Sequence, residues 1–109
     1  SIFQMILDKE IESEIIYEDE KIFCIKDINP AAKVHLLIIP KKRINTINDL
    51  EDEDKELIGS MVLVAKNLAK KYKIDESGYR LVWNTNKDGG QTVYHIHLHL
   101  LGGEKLREF

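Results

Sequence analysis

Tyr94-His95-Ile96-His97-Leu98-His99-Leu100-Leu101 carries three of the four histidines in this 109-residue chain. Imidazoles at every second position, alternating with Ile96, Leu98 and Leu100, follow the period of a strand with one buried face. All three rings are therefore expected to project from one side. Imidazole can serve as nucleophile, acid, base or metal ligand near neutral pH, so the chemistry is sought here. The fourth, His35, sits in Val34-His35-Leu36-Leu37-Ile38-Ile39, a dense β-branched and leucine run closed by Pro40.

Working outward, the histidine strand follows a polar loop, Asn84 to Gly90, that ends in Asp88-Gly89-Gly90. Upstream, Leu57, Met61, Val64, Ala65, Leu68 and Tyr72 recur at helical spacing and predict one long amphipathic helix. The acidic stretch Asn48 to Asp54 suits its N-terminus, and Lys70, Lys71 and Lys73 suit its last turn, each matching the helix dipole. Gly78 then resets the chain into a strand over Tyr79 to Trp83. Towards the N-terminus, Glu14 to Glu18 and Lys21 to Ile28 read as a hairpin, broken by Asn29-Pro30. Ile2 to Lys9 reads as a short amphipathic helix with Phe3, Ile6 and Leu7 on its apolar side. Strands on both sides of a single long helix indicate an α+β fold with an antiparallel sheet.

A hydrophobic content of 43% over this length fits one domain, residues 1–109, with a modest core. Sixteen basic and nineteen acidic residues are interspersed, for a net charge of −3. That balance argues against a nucleic-acid partner or a polybasic membrane anchor. No apolar run approaches the roughly 20 residues of a membrane span, and no secretory leader is expected. Cys24, the only cysteine, excludes an internal disulfide and is expected to be buried in a strand. A reducing, cytoplasmic setting is the simplest reading.

Three readings of the histidine run are open. Metal binding meets a spacing problem, since residues two apart on a strand are separated by about 6.6 Å, which puts His95 and His99 about 13 Å apart. Zinc needs its ligands at about 2.0–2.1 Å, so a site would need help from His35, Cys24 or a carboxylate. A surface ladder without a task is the second reading. The third is phosphoryl chemistry with a neutral imidazole as nucleophile, held by a backbone carbonyl on its far nitrogen. Neighbouring imidazoles would then bond phosphate oxygens or move the leaving-group proton. The glycines of Asp88-Gly89-Gly90-Gln91-Thr92 favour this reading, because they let backbone N–H groups approach an anion.

Gly89-Gly-Gln-Thr-Val-Tyr-His-Ile-His-Leu-His-Leu-Leu-Gly-Gly103 resembles the signature of the histidine triad (HIT) superfamily, in its nucleotide-binding Hint branch. Further stretches fall in family order: Ser1-Ile-Phe3, Ile16-Tyr-Glu-Asp19, Asp27-Ile-Asn-Pro30, His35 to Lys42 and Gly78-Tyr-Arg80. The resemblance implies a five-stranded antiparallel sheet with one long and one short N-terminal helix, continued across a homodimer. It implies hydrolysis of purine nucleoside 5′-phosphoramidates (AMP or GMP derivatives) without a cofactor. His97 would attack phosphorus, His99 and His35 would bond phosphate or relay the proton, and the His95 backbone would orient His97. Asn84, Gly90, Gln91 and Thr92 match the phosphate-side residues. Asp27 matches the ribose-gripping carboxylate, a reading favoured over a simple turn cap before Asn29-Pro30. Ile28, Phe3 and Ile6 match the base pocket. Dinucleoside polyphosphate hydrolysis, as in the Fhit branch, and a nucleotide-sensing module with residual catalysis are the alternatives. Departures from the pattern are Ile25 in place of a base-stacking aromatic, and a tail, Glu104 to Phe109, without the tryptophan and prolines of some relatives.

Overall fold

Two neighbouring runs, Ile22-Phe-Cys-Ile25 and Leu36-Leu-Ile-Ile39, are buried at every position. Strands read this way when both faces of their sheet are covered. In the computed structural model, which describes residues 1–109, they form β2 (Ile22–Lys26) and β3 (Val34–Pro40). The other elements are α1 (Ile2–Leu7), β1 (Ile15–Glu18), α2 (Lys55–Lys71), β4 (Tyr79–Val82) and β5 (Leu98–Gly102). All five strands pair antiparallel in the order β1-β2-β3-β5-β4. The expected α+β architecture, with one long and one short helix, is the one observed.

Strand alternation sorts the side chains into two layers. Ile22, Cys24, Leu36, Ile38, Leu98 and Leu100 face α2, where they meet Met61, Val64, Ala65, Leu68 and Ala69. Phe23, Ile25, Leu37 and Ile39 face the other way, onto Phe3 and Ile6 of α1. The helical spacing expected for α2 holds, with Ala69 added to the buried stripe and Leu57 and Tyr72 at its margins. Cys24 is wholly buried, as expected. No helix is long and apolar enough to cross a membrane.

Boundaries differ from expectation where local polar groups intervene. Asn48 to Asp54 forms two 3₁₀ turns, Ile47–Asp49 and Asp52–Asp54, each closed by a capping box, and α2 begins only at Lys55. The acidic side chains there cap their own turns instead of extending the helix. Both helices end in one manner. Lys9 and Lys73 take left-handed φ of 63° and 60°. The following amides, Glu10 and Ile74, reach back to Met5 and Ala69 carbonyls at 2.8 and 2.9 Å, a Schellman closure. Lys73 thus lies beyond the last turn of α2, and α1 stops short of Lys9. β2 ends at Lys26, because the Asp27 carboxylate accepts the Asn29 N–H at 2.9 Å and turns the chain.

The largest correction concerns the histidine run. β5 starts at Leu98, so His95 and His97 precede it. The β3–β5 register runs out at Ile38 opposite Leu98. Two residues further, Pro40 has no N–H with which to continue a ladder. The Ile96 amide pairs instead with the Ile44 carbonyl at 2.8 Å, and the segment bends across the end of the sheet.

Candidate active site

The bend brings the rings together. His97 lies 4.9 Å, centroid to centroid, from both His99 and Phe3, and Phe3 also meets the His95 ring edge-on at 5.7 Å. His35 enters from β3. Its cross-strand partner is Leu101, and His99 is the diagonal neighbour, paired with Leu37. The His35 and His99 rings are 5.2 Å apart. All four histidines therefore share the α1 side of the sheet or its edge, as the alternation predicts.

Groups that can only donate or only accept determine where each proton sits. The Ala31 amide donates to His35 Nδ1 at 2.9 Å, so the proton of neutral His35 is on Nε2. From there it is shared with His99 Nδ1 at 2.9 Å, with an Asp27 carboxylate oxygen 3.4 Å away. His99 consequently carries its own proton on Nε2, and that buried atom has no partner in the protein. His97 Nδ1 lies 2.8 Å from the His95 carbonyl, which can only accept. Its Nδ1 therefore bears the proton and its Nε2 a bare lone pair. His95, almost fully buried, donates from Nε2 to the Pro40 carbonyl at 2.7 Å. A lone-pair nucleophile and an unused N–H donor thus stand on adjacent rings.

Burial sets the charge state. It is the largest cause lowering the pKa of all four histidines, with mutual repulsion adding to it for His95, His97 and His99. The effect is greatest for His99, pushed down to about 4. The cluster is therefore neutral at pH 7, which keeps the His97 lone pair available.

Asp27, His35 and His99 each offer an atom within 4.8 Å of the others, a spacing a metal ion could use. Proton placement opposes it. With the Ala31 amide on Nδ1, His35 could ligate through Nε2 only as an imidazolate or by breaking that bond. The trio is better described as a proton-bearing pair beside a carboxylate.

The nucleotide-side residues divide. Asp27 combines turn cap and site carboxylate, since one oxygen accepts from Asn29 while the other faces His35. Asn84, half-buried, lies beside Gly90, whose φ of +84° suits glycine. Thr92 is exposed at the end of this loop. Gln91 departs from expectation. It is buried, accepts from the Asn86 amide at 2.9 Å, and donates to the Asn45 and Val93 carbonyls at 2.7 and 3.1 Å. Its carboxamide shapes the loop from inside. Phe3 and Ile6 are core residues beneath the rings, whereas Ile28 stands 81% exposed after Asp27. Two further residues shape the site. A Cβ on Gly89 would stand 2.4 Å from the Thr85 carbonyl oxygen, so only glycine closes this loop. Ser1 holds the His95 ring, with its Oγ 2.8 Å from Nδ1. The Gly-Gly pair already points to the first; nothing local marks the hydrogen bond of the second. A recess of about 200 Å³ is lined by Asp27 and His35, one of about 700 Å³ runs from Ile6 past Lys9 to Glu12, and one of about 550 Å³ lies around Ser77 and Lys105.

The chain resembles known proteins over nearly its whole length. The HIT domain family profile matches residues 8–106. A purine nucleoside phosphoramidase of Escherichia coli (strain K12) is 48% identical over 106 residues, covering 97% of this chain and 89% of that protein. The crystal structure of a HIT family hydrolase from Legionella pneumophila Philadelphia 1 superposes with a TM-score of 0.94 at 51% identity, covering 97% of this chain and 95% of that one. A histidine triad nucleotide-binding protein from Candida albicans gives a TM-score of 0.82 at 31% identity, over 99% of this chain and 84% of that one. With four placed imidazoles, a glycine loop and these likenesses, the chain belongs to the HIT family.

Proposed function

We propose that this protein is a purine nucleoside phosphoramidase that hydrolyses the P–N bond of adenosine or guanosine 5′-phosphoramidates. The observation that carries the reading is the proton arrangement, with a bare His97 Nε2 beside an unpartnered His99 Nε2–H. The 48% identical phosphoramidase of Escherichia coli supports the same substrate class. The His97 lone pair attacks the α-phosphorus, forming a P–Nε2 bond as the P–N bond to the leaving amine breaks. Phosphate charge entering beside His99 and His35 favours their protonated forms, opposing the effect of burial. The pair then delivers the proton that the departing amine takes. In the second half, water gives a proton back to the pair, its oxygen bonds phosphorus, and the P–Nε2 bond breaks. His97 is regenerated and the nucleoside monophosphate released.

Asp27 would hold the ribose hydroxyls with the lone pairs its turn leaves free. The exposed Ile28 would cover the base, over the Phe3 and Ile6 core. Asn84, Gly90 and Thr92 would line the phosphate, with Gln91 holding their loop. One domain spans residues 1–109. A homodimer fits the open edge of β4 and the exposed Val62 and Leu63 on α2 (Leu63 is 56% exposed), joining two sheets into one. A cytoplasmic setting goes with the single buried thiol.

Mass spectrometry of protein quenched during turnover of a slow phosphoramidate tests the reading. A nucleotidyl group on His97 is expected. Turnover without any His97 adduct, or faster hydrolysis of diadenosine polyphosphates than of phosphoramidates, would displace it.

A further inference from the structure

We propose that Ser1 is a positioning residue, holding His95 in the tautomer that aims His97. The inference rests on the reading of His97 as nucleophile. The Ser1 hydroxyl accepts the Gln4 amide at 3.2 Å, which makes it the N-cap of α1, and its Oγ lies 2.8 Å from His95 Nδ1. Because the Pro40 carbonyl requires the His95 proton on Nε2, Nδ1 is an acceptor and Ser1 must donate to it. Three bonds then run in one direction, Gln4 N–H to Ser1, Ser1 O–H to His95 Nδ1 and His95 Nε2–H to Pro40, while a fourth, from His97 Nδ1–H, ends on the carbonyl of the same His95.

Each link has one permitted polarity. Without the Ser1 donor, Nδ1 becomes a buried acceptor with no partner. The ring can repair that only by taking the proton onto Nδ1 and giving up Pro40, or by rotating. Either move displaces the backbone whose carbonyl orients His97. The same helix seats Phe3 edge-on against both His95 and His97, so α1 controls the rings through a bond at its N-cap and a contact two residues on. The short N-terminal helix thereby acts as a clamp on the nucleophile.

Three variants separate this role from simple capping. Ser1→Thr keeps cap and donor. Ser1→Asp keeps a good cap but offers His95 only an acceptor, and Ser1→Ala removes both. In the full chain, with adenosine 5′-phosphoramidate as substrate, kcat should fall about tenfold in Ser1→Asp and Ser1→Ala, with KM and the Ser1→Thr rate within about twofold of the parent. In ¹⁵N-histidine NMR the His95 resonances should show an Nε2–H tautomer in the parent and Ser1→Thr, and lose that pattern in the other two. Unchanged kcat in Ser1→Asp and Ser1→Ala, or a lower rate with the His95 tautomer unmoved, overturns the proposal. A parent without phosphoramidase turnover would instead sink the assigned reaction. The His95 spectra of the same variants would still decide whether Ser1 holds the ring.

Discussion

The two faces of one sheet do different work. On the α2 side, twelve buried residues form a continuous apolar layer whose one titratable group is Cys24, its thiol pushed up to about 12 by burial. On the α1 side only six residues form the buried cluster, and β3 and β5 give positions there to His35 and His99. A single alternation builds both. Its phase alone decides which face packs and which carries imidazole. Because the α2 layer supplies most of the burial, the opposite face can accommodate four neutral histidines at a cost in stability that appears only on acidification.

The difference can be tested from either side. The largest effect is expected at the chemical face. His97→Ala should lose several orders of magnitude in kcat, while nucleotide binding, measured by calorimetry, survives. Turnover near the parent rate would show that the imidazole row is not the reacting centre.

Ile38→Ala, in the α2 layer, should act in the opposite sense. Removing this fully buried side chain should cost about 2–5 kcal/mol in urea denaturation, with kcat per folded molecule nearly unchanged. A collapse of kcat at full stability would mean that the two faces are not separable.

The smallest effect concerns pH. All four histidines have lowered pKa values in the fold, so between the unfolded value of about 6.5 and their folded values the unfolded chain binds more protons. The histidine contribution to stability should therefore be level above pH 7 and decline as pH falls from 6.5 towards 4, below which the lowered carboxyls of Asp19 and Asp54 extend the fall. Thermal unfolding across that range checks it, and His99→Gln should make the decline shallower. An unaltered slope in that variant would move the acid sensitivity away from this face.

Recess size does not single out the chemical face, since the recess lined by Asp27 and His35, about 200 Å³, is smaller than those of about 550 and 700 Å³. What distinguishes it is His99 Nε2, a buried side-chain nitrogen without a partner, beside the bare lone pair of His97 Nε2. The histidine row is legible in the sequence because three imidazoles at period two seldom coincide by chance, and the α2 stripe because i, i+3, i+4 repeats are local. Gln91 is not legible in the same way. A carboxamide fits a phosphate contact or a loop brace equally well, and the bonds of its side chain to the carbonyls of Asn45 and Val93 come from residues the sequence does not point to.

From the residues themselves came the fold class, the alternation of the histidine run, the long helix and the chemical type of the reactive groups. All of these depend on neighbours within a few positions along the chain. The end of the β5 ladder, the four tautomers and the clamp of Ser1 on His95 depend on partners brought together from distant segments. Ser1 and His95 are 94 residues apart, and His95 and Pro40 are 55 apart. A hydrogen bond's direction is set by both of its ends, so the placement of these protons could be decided only once the chain had folded.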